Sequence, residues 1–593
     1  MPSTFPLLLL AAAVVVRADE SVQQPLSPPA GPVDIWLALN TTVGGRVFQA
    51  EPFAKPCFED STSEQCKRVQ ELYQNEKVRT NLAGGYTWGQ WETCQASGAQ
   101  CLLDFAVPTD ATAFARPNTC GLGSIPDYFI DVRSANDVIA AFEFARTTDI
   151  PLVIKNTGHD FKGRSSGRST LALWLHNLKD ISYNPEFVPE GCADDVSYKG
   201  VTAGAGVQFY EAFDFAEANQ ITLVGGSDAT VGFVGGFLQG GGHGILSPAL
   251  GLGVDRALEF TIVTPDGQLR TANKCQNEDL FFALRGGGGG TFGVVLSATI
   301  LAAPAAPVQA VVLSFPPTAA ATNSTPLDLT SSLWTLLGEQ VPAWADAGWG
   351  GYSMPQLALF ATQRLSGDES KESMKPLFDW AEQAKADGVE GVMAMAMEFP
   401  SWGPFFTAFM TDAGGNAGAG AFGYSVSLTS RLVPRANFAT SESRRALVDA
   451  LISASALADT SVPPPITIIQ ITAPTAVRPE EISPGRTSVT PAWRDALYHV
   501  TSMGMWNWNA TSADIRGVYE RTSKLMDFVR KETPVGAYSN EADVYEPDWE
   551  TSFWGEHYPE LLGIKMKYDP DRLLDCWQCV GWNSESDRYA CYL

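Results

Sequence analysis

Residues 230–244 read TVGFVGGFLQGGGHG. Glycine this dense lets one backbone approach another backbone, or a ligand, closely. A helix-like stretch, Tyr210 to Asn219, precedes it. After it, Ala257 to Thr264 reads as a strand, Pro265-Asp266-Gly267 as a turn, and Gln268 onward as the returning strand. Two more glycine regions lie nearby: Ala283 to Val295 (ALRGGGGGTFGVV), and Gly158 to Ser169 behind IKNTGHD at 154–160. Three such regions, each tied to strands between residues 154 and 295, suggest backbone wrapped around a large flat ligand.

Upstream, Tyr128 to Val132 has strand character. Ser134 caps a helix, with Asp137 at the capping-box position. Val138, Ile139, Phe142 and Ala145 fall on one helical face, and Leu152-Val153-Ile154 forms a second strand. His159 therefore sits in a loop leaving a strand. The loop continues through Phe161 to Ser169 with small residues and two arginines, a composition able to wrap a pyrophosphate. There is no GxxxxGK[ST], which argues against nucleotide hydrolysis.

The chain has 593 residues, ten cysteines and a net charge of -26. It is long enough for two or three domains. The negative charge repels nucleic acid and anionic membranes, so neither is an expected partner. Leu7 to Val16 is too short to span a bilayer, and Val16-Arg17-Ala18 offers a cleavage site. Residues 1–18 read as a secretory signal peptide, although the leading MPSTF lacks a basic residue. Sequons at Asn40, Asn323 and Asn509 agree with a secreted, extracellular glycoprotein. Cys57 and Cys66, and Cys94 and Cys101, are close enough to bridge locally. Cys576 and Cys579 form a CxxC that favours a structural disulfide, with either of these or with Cys591, over a redox or zinc role. His176, His499 and His557 show no metal-like spacing, and no metal site is expected.

Together these motifs resemble the FAD-linked oxidases of the vanillyl-alcohol-oxidase superfamily, in the berberine-bridge-enzyme-like branch, near its secreted fungal isoamyl alcohol oxidase-like group. The resemblance runs over about 120 to 305 and 535 to 582. It rests on the GH loop, TVGFVGGFLQGGGHG, ALRGGGGGTFGVV and the C-terminal YxNE, PDW, FWG and KYDP segments. It implies an α+β fold: a two-subdomain FAD-binding module of PCMH/VAO type with an inserted antiparallel-sheet substrate domain. The expected division is an N-terminal cysteine-containing, loop-rich wrap at 19–110, an FAD-binding domain at 111–305, a substrate domain at 306–530 and a segment completing the FAD module at 531–593.

The resemblance also implies roles. His159 stands where the family bonds histidine to the flavin 8α-methyl group, although many relatives have GGH where this chain has Thr157-Gly158-His159. Asp228 occupies the position of a second, cysteinyl attachment in some relatives, so a single link is expected. Further FAD contacts are expected at Lys155, Asn156, Thr157, Gly158, Asp160, Gly163, Thr230, Val231, Gly235, Gly236, Gly240, Gly241, Gly242, Val263 and Asn540. Val231 falls where relatives control oxygen access. Tyr538 and Glu541 are the catalytic candidates. Glu541 replaces a family tyrosine and is either the base, with a pKa raised by an apolar pocket, or a salt-bridge partner or helix cap. His243 either touches flavin or packs. The implied activity is oxidation of an alcohol or secondary metabolite by FAD and O2, giving H2O2, in a monomer with a small-molecule substrate. The alternative is a secreted binding protein without turnover.

Overall fold

A computed structural model describes residues 33–193, 196–317, 325–411, 422–456 and 466–593. The expected signal peptide and the Asn323 sequon lie outside them.

The expected capped helix forms at Ala135–Thr148. Asp137 closes the cap by accepting from the Ser134 and Arg133 backbone amides. Its apolar face buries Val138, Ala141 and Phe142 completely. Large side chains buried in this way each contribute ~1.5–3 kcal/mol. The flanking strands Tyr128–Asp131 and Leu152–Lys155 do not pair with each other. A strand at Leu171–Trp174 pairs parallel with both. Val47–Gln49 adds an antiparallel edge, so the N-terminal segment is built into this sheet. That segment is also more helical than expected, with helices at Val33–Thr42, Glu64–Leu72 and Glu76–Thr80. Ser63 and Asn75 cap the latter two through side-chain oxygens.

A second sheet is antiparallel, in the order Ile181–Phe187, Tyr198–Gly204, Val294–Leu301, Ala257–Val263, Leu269–Asn273. A third, seven-stranded and antiparallel, draws its strands from residues between 308 and 506. Its centre is Leu357–Thr362, Gly350–Met354 and Ile466–Ile471, with Ala496–Trp506 next toward one edge. The helices Pro326–Asp346, Ser441–Ala456 and Ser512–Glu532 belong to this part of the chain. The last of them contacts the strands Ser425–Pro434 and Ala496–Trp506. The three sheets are held together by a core in which Ala537, Ala542 and Phe553 from the C-terminal segment join strand and helix residues of the first two sheets and Val308, Ala310, Leu359 and Ala361 of the third.

The disulfides correct part of the cysteine expectation. Cys57 bridges Cys66, but Cys94 pairs with Cys591 and Cys101 with Cys120. Chain proximity between Cys94 and Cys101 is overridden because the C-terminal tail returns beside the N-terminal segment. Cys192 pairs with Cys275, and Cys576 with Cys579. The last pair makes the CxxC a closed bridge rather than a metal clamp. No helix among the described residues is long and apolar enough to cross a membrane. Of the remaining sequons, Asn509 is exposed. Asn40 is half-buried in the first helix, with its side-chain oxygen accepting from Val47 N.

Candidate active site

A cavity of about 750 Å³ opens where the three sheets meet. That size suits a small-molecule or cofactor site. One wall carries Asn156 to Asp160, Val231, Gly235 and Gly236; the opposite wall carries Met354, Leu359, Ile468 and Met503 from the seven-stranded sheet. Tyr538, Asn540 and Glu541 close one side.

His159 reaches the wall because the chain turns sharply at Gly158, whose φ is +94°. A Cβ there would lie 3.1 Å from Lys155 Cε and 3.2 Å from the Tyr86 ring. The N-terminal segment fixes the turn from behind. Thr87 Oγ1 donates to Gly158 O at 2.9 Å and Trp88 Nε1 to His159 O at 2.9 Å. His159 Nε2 shares a 2.7 Å hydrogen bond with Thr230 Oγ1 and lies 3.6 Å from Asp228. Burial pushes the His159 pKa down against the pull of Asp228, so the ring is held neutral.

The glycine-rich stretch works mainly by close approach. Gly240 leaves room for Asn540, whose side-chain nitrogen would be 2.5 Å from a Cβ there. Asn540 is held at both ends of its amide: it donates to Gly236 O at 2.7 Å and to the Tyr538 hydroxyl at 2.8 Å, and accepts from Arg164 at 2.9 Å. Arg164 in turn pairs with Asp160, which outweighs burial and holds the Asp160 carboxyl below its usual range. The histidine loop and the C-terminal segment are thereby locked together.

Several expected FAD contacts are placed elsewhere. Lys155 is buried away from the cavity, donating to the carbonyls of Leu82, Ala83 and Gly85; burial lowers its pKa to about 7. Gly163 faces the Trp91 ring. Thr230 stands behind His159 and acts on it. Gly240, Gly241 and Gly242 receive Asn540, Tyr538 and Phe237. Val263 is fully buried in its sheet, opposite Val294. Gly289 and Gly290, Tyr352, Phe422 and Tyr424 line the cavity without having been singled out by the sequence. Only the glycine run carried a signal for any of them. Arg431 and Arg494 pair with Glu546 and Asp255.

The structure places both catalytic candidates, Tyr538 and Glu541, on the cavity. Burial and the charge of Glu541 push the Tyr538 pKa upward, so its hydroxyl stays protonated while accepting from Gly242 N at 3.0 Å. Burial pushes Glu541 up, but His243, 3.1 Å away, and His499 outweigh it and bring the carboxyl to about 2. Of the alternatives left open for Glu541, the salt-bridge partner is the one the geometry shows, and the raised pKa does not occur because histidines, not apolar side chains, face the carboxylate. Burial lowers His499 to about 3. Glu541 is therefore ionised beside a neutral His499, and is a weak proton acceptor by itself.

The cavity fits FAD. The side-chain oxygen of Asn156, on its wall, is buried with no hydrogen-bond partner among the described residues. Space lies open in front of Gly236, where a Cβ would meet nothing within 4 Å.

A family model described as FAD binding domain matches residues 126–273, and one described as berberine and berberine like matches 537–580. The chain is 35% identical over 599 residues to the FAD-linked oxidoreductase ffsJ of Aspergillus flavipes, covering 95% of this chain and 94% of the relative. The crystal structure of VAO-type flavoprotein MtVAO615 from Myceliophthora thermophila C1 matches with a TM-score of 0.78 at 27% identity, covering 93% of this chain and 95% of that one. Glucooligosaccharide oxidase from Acremonium strictum shares the fold, with a TM-score of 0.61 at 20% identity over 77% of this chain and 92% of that one. The chain belongs to the FAD-linked oxidoreductases of the vanillyl-alcohol-oxidase and berberine-bridge-enzyme-like superfamily.

Proposed function

We propose that this protein is a secreted oxidase that holds FAD through a single covalent link at His159 and oxidises an apolar alcohol or hydroxylated secondary metabolite. The observation that carries this reading is the His159 imidazole, held through Nε2 by Thr230, on the wall of a cavity whose far side is largely apolar. Nε2 is engaged by Thr230, which leaves Nδ1 to bond the flavin 8α carbon. The FAD of the glucooligosaccharide oxidase is described as 6-S-cysteinyl, 8α-N1-histidyl. Asp228, beside His159 here, offers no sulfur for a second bond. Bound FAD supplies the acceptor for a hydride from a substrate carbon and passes the electrons to O2, giving H2O2.

Asn156, Gly235 and Gly236 hold the cofactor, while Asn540 and Tyr538 fix the cavity wall beside it. Leu359, Ile468 and Met503 receive the apolar body of the substrate, within a substrate domain taken as 306–530. Glu541 and His243 receive its hydroxyl. The disulfides suit an oxidising compartment.

The test is an absorbance spectrum of the secreted protein before and after acid precipitation, with His159→Ala as control, followed by peroxide release across a panel of alcohols. Yellow colour that stays in the pellet and is lost in His159→Ala supports the link. Colour released to the supernatant refutes it. Flavin without peroxide release from any alcohol favours a flavin-retaining binding protein.

A further inference from the structure

Three side chains from remote parts of the chain converge at the substrate side of the cavity. His243 comes from the end of the glycine-rich stretch, His499 from the middle of the strand Ala496–Trp506, and Glu541 from the C-terminal segment. One ligating atom from each lies within 4.8 Å of the others. His243 Nε2 is 3.1 Å from one Glu541 oxygen, and His499 Nδ1 is 3.8 Å from the other. The two imidazoles stand nearly perpendicular, with ring centroids 4.9 Å apart.

The hydrogen bonding is incomplete. His499 is fully buried, and neither ring nitrogen has a hydrogen-bond partner among the described residues. The Nδ1 of His243, which is 6% exposed, has none either. Buried polar atoms in native proteins nearly always have a partner, and orphans mark a functional group or a missing ion. Trp493 and Tyr538 enclose the cluster with ring faces and edges. Neither brings a second charge against the carboxylate.

We propose that His243, His499 and Glu541 form a binding site for a divalent transition-metal ion of the zinc class. Two imidazoles and one carboxylate are the donor set such ions favour, and three protein ligands with an open position are the arrangement of catalytic zinc sites. Calcium and magnesium, which take oxygen ligands, do not match it. With bonds of ~2.0–2.2 Å, ligand atoms of a tetrahedral site are about 3.4 Å apart. The present spread contracts to that by rotation of Glu541 and His243. His499 is sealed in the core, whereas His243 and Glu541 line the cavity, so the open position faces the substrate. An ion there polarises an incoming hydroxyl oxygen as a Lewis acid. That role rests on the oxidase reading; the metal site itself does not.

The test measures zinc and flavin separately in tag-free, full-length secreted protein, equilibrated with micromolar Zn2+ and desalted. Wild type is expected to retain one zinc per chain. His499→Ala and Glu541→Gln should each weaken zinc binding by more than ~100-fold, beyond the loss caused by removing an outer-shell partner. Glu541→Gln is nearly isosteric and keeps the test valid where His499→Ala does not fold; its fold is checked by thermal unfolding. Wild type that retains no zinc, or variants that bind it as tightly as wild type, overturn the proposal. Zinc retained by a colourless protein supports the metal site while refuting the oxidase reading, and flavin without zinc does the reverse.

Discussion

Glu92→Gln should destabilise the protein by ~3–5 kcal/mol, the cost of breaking a buried ion pair by removing one partner. Arg79 and Glu92 are 0% and 1% exposed and meet at 2.6 Å. The same Glu92 oxygen accepts from Tyr86 N at 2.8 Å. Glutamine keeps an oxygen in that place, so the substitution removes charge more than shape. It leaves the Arg79 guanidinium buried with no anion, near the Lys155 amine whose pKa burial already lowers to about 7. The control is Glu64→Gln. Its pair with Lys67 is also 2.6 Å long, but the side chains are 87% and 56% exposed. Water and salt screen such a pair, and its removal should leave stability unchanged. Both variants are compared with wild type by guanidinium unfolding at pH 7, followed by tryptophan fluorescence. The Glu92 variant should also retain less flavin, because Tyr86 to Trp88 brace the His159 turn. Equal midpoint shifts in the two variants would refute the claim that burial, rather than distance, decides what an ion pair contributes.

Gly158→Ala should destabilise the His159 turn by ~1–3 kcal/mol, since φ is +94° and a Cβ presses on Lys155 and Tyr86. Flavin per chain should fall, and an unchanged flavin ratio and melting temperature would contradict this. Asn540→Ala should leave the fold intact but strip partners from Arg164, Gly236 O and the Tyr538 hydroxyl, lowering flavin retention on dilution. His176 gives a pH prediction. Burial and the Lys179 charge lower its pKa from 6.5 to about 3, so the unfolded chain takes up a proton first. Its contribution is intact above pH 6.5 and is lost as pH falls toward 3. The stability of His176→Asn relative to wild type should therefore rise by ~1.4 kcal/mol for each unit the pH is lowered through that window. A constant difference between the two would remove His176 as the titrating group.

Local order was readable wherever neighbours in the chain decide it. The Ser134–Asp137 cap, the helix behind it and the hairpin around Pro265-Asp266-Gly267 form where the residues indicated, because caps and turns are made within a few positions. The strand Leu171–Trp174 was missed. It is no shorter than Tyr128–Asp131 or Leu152–Lys155, but it follows a Gly/Ser-rich loop, and it pairs between two strands that chain order alone would have placed side by side. The glycine regions marked the cavity correctly as a neighbourhood. They did not distinguish Gly236, which faces open space, from Gly240, which faces Asn540, since a glycine has no side chain to show its direction.

The family, the FAD-binding character and the candidacy of His159 followed from motifs contiguous in the chain. Tertiary structure decided what depends on approach between remote segments and on exclusion of water. The return of the tail paired Cys94 with Cys591. The meeting of His243, His499 and Glu541 made Glu541 a carboxylate of low proton affinity, paired with His243, and brought together a candidate metal site. Charge state and ligation are set by burial and by distances of a few ångströms, and neither quantity exists until the chain has folded.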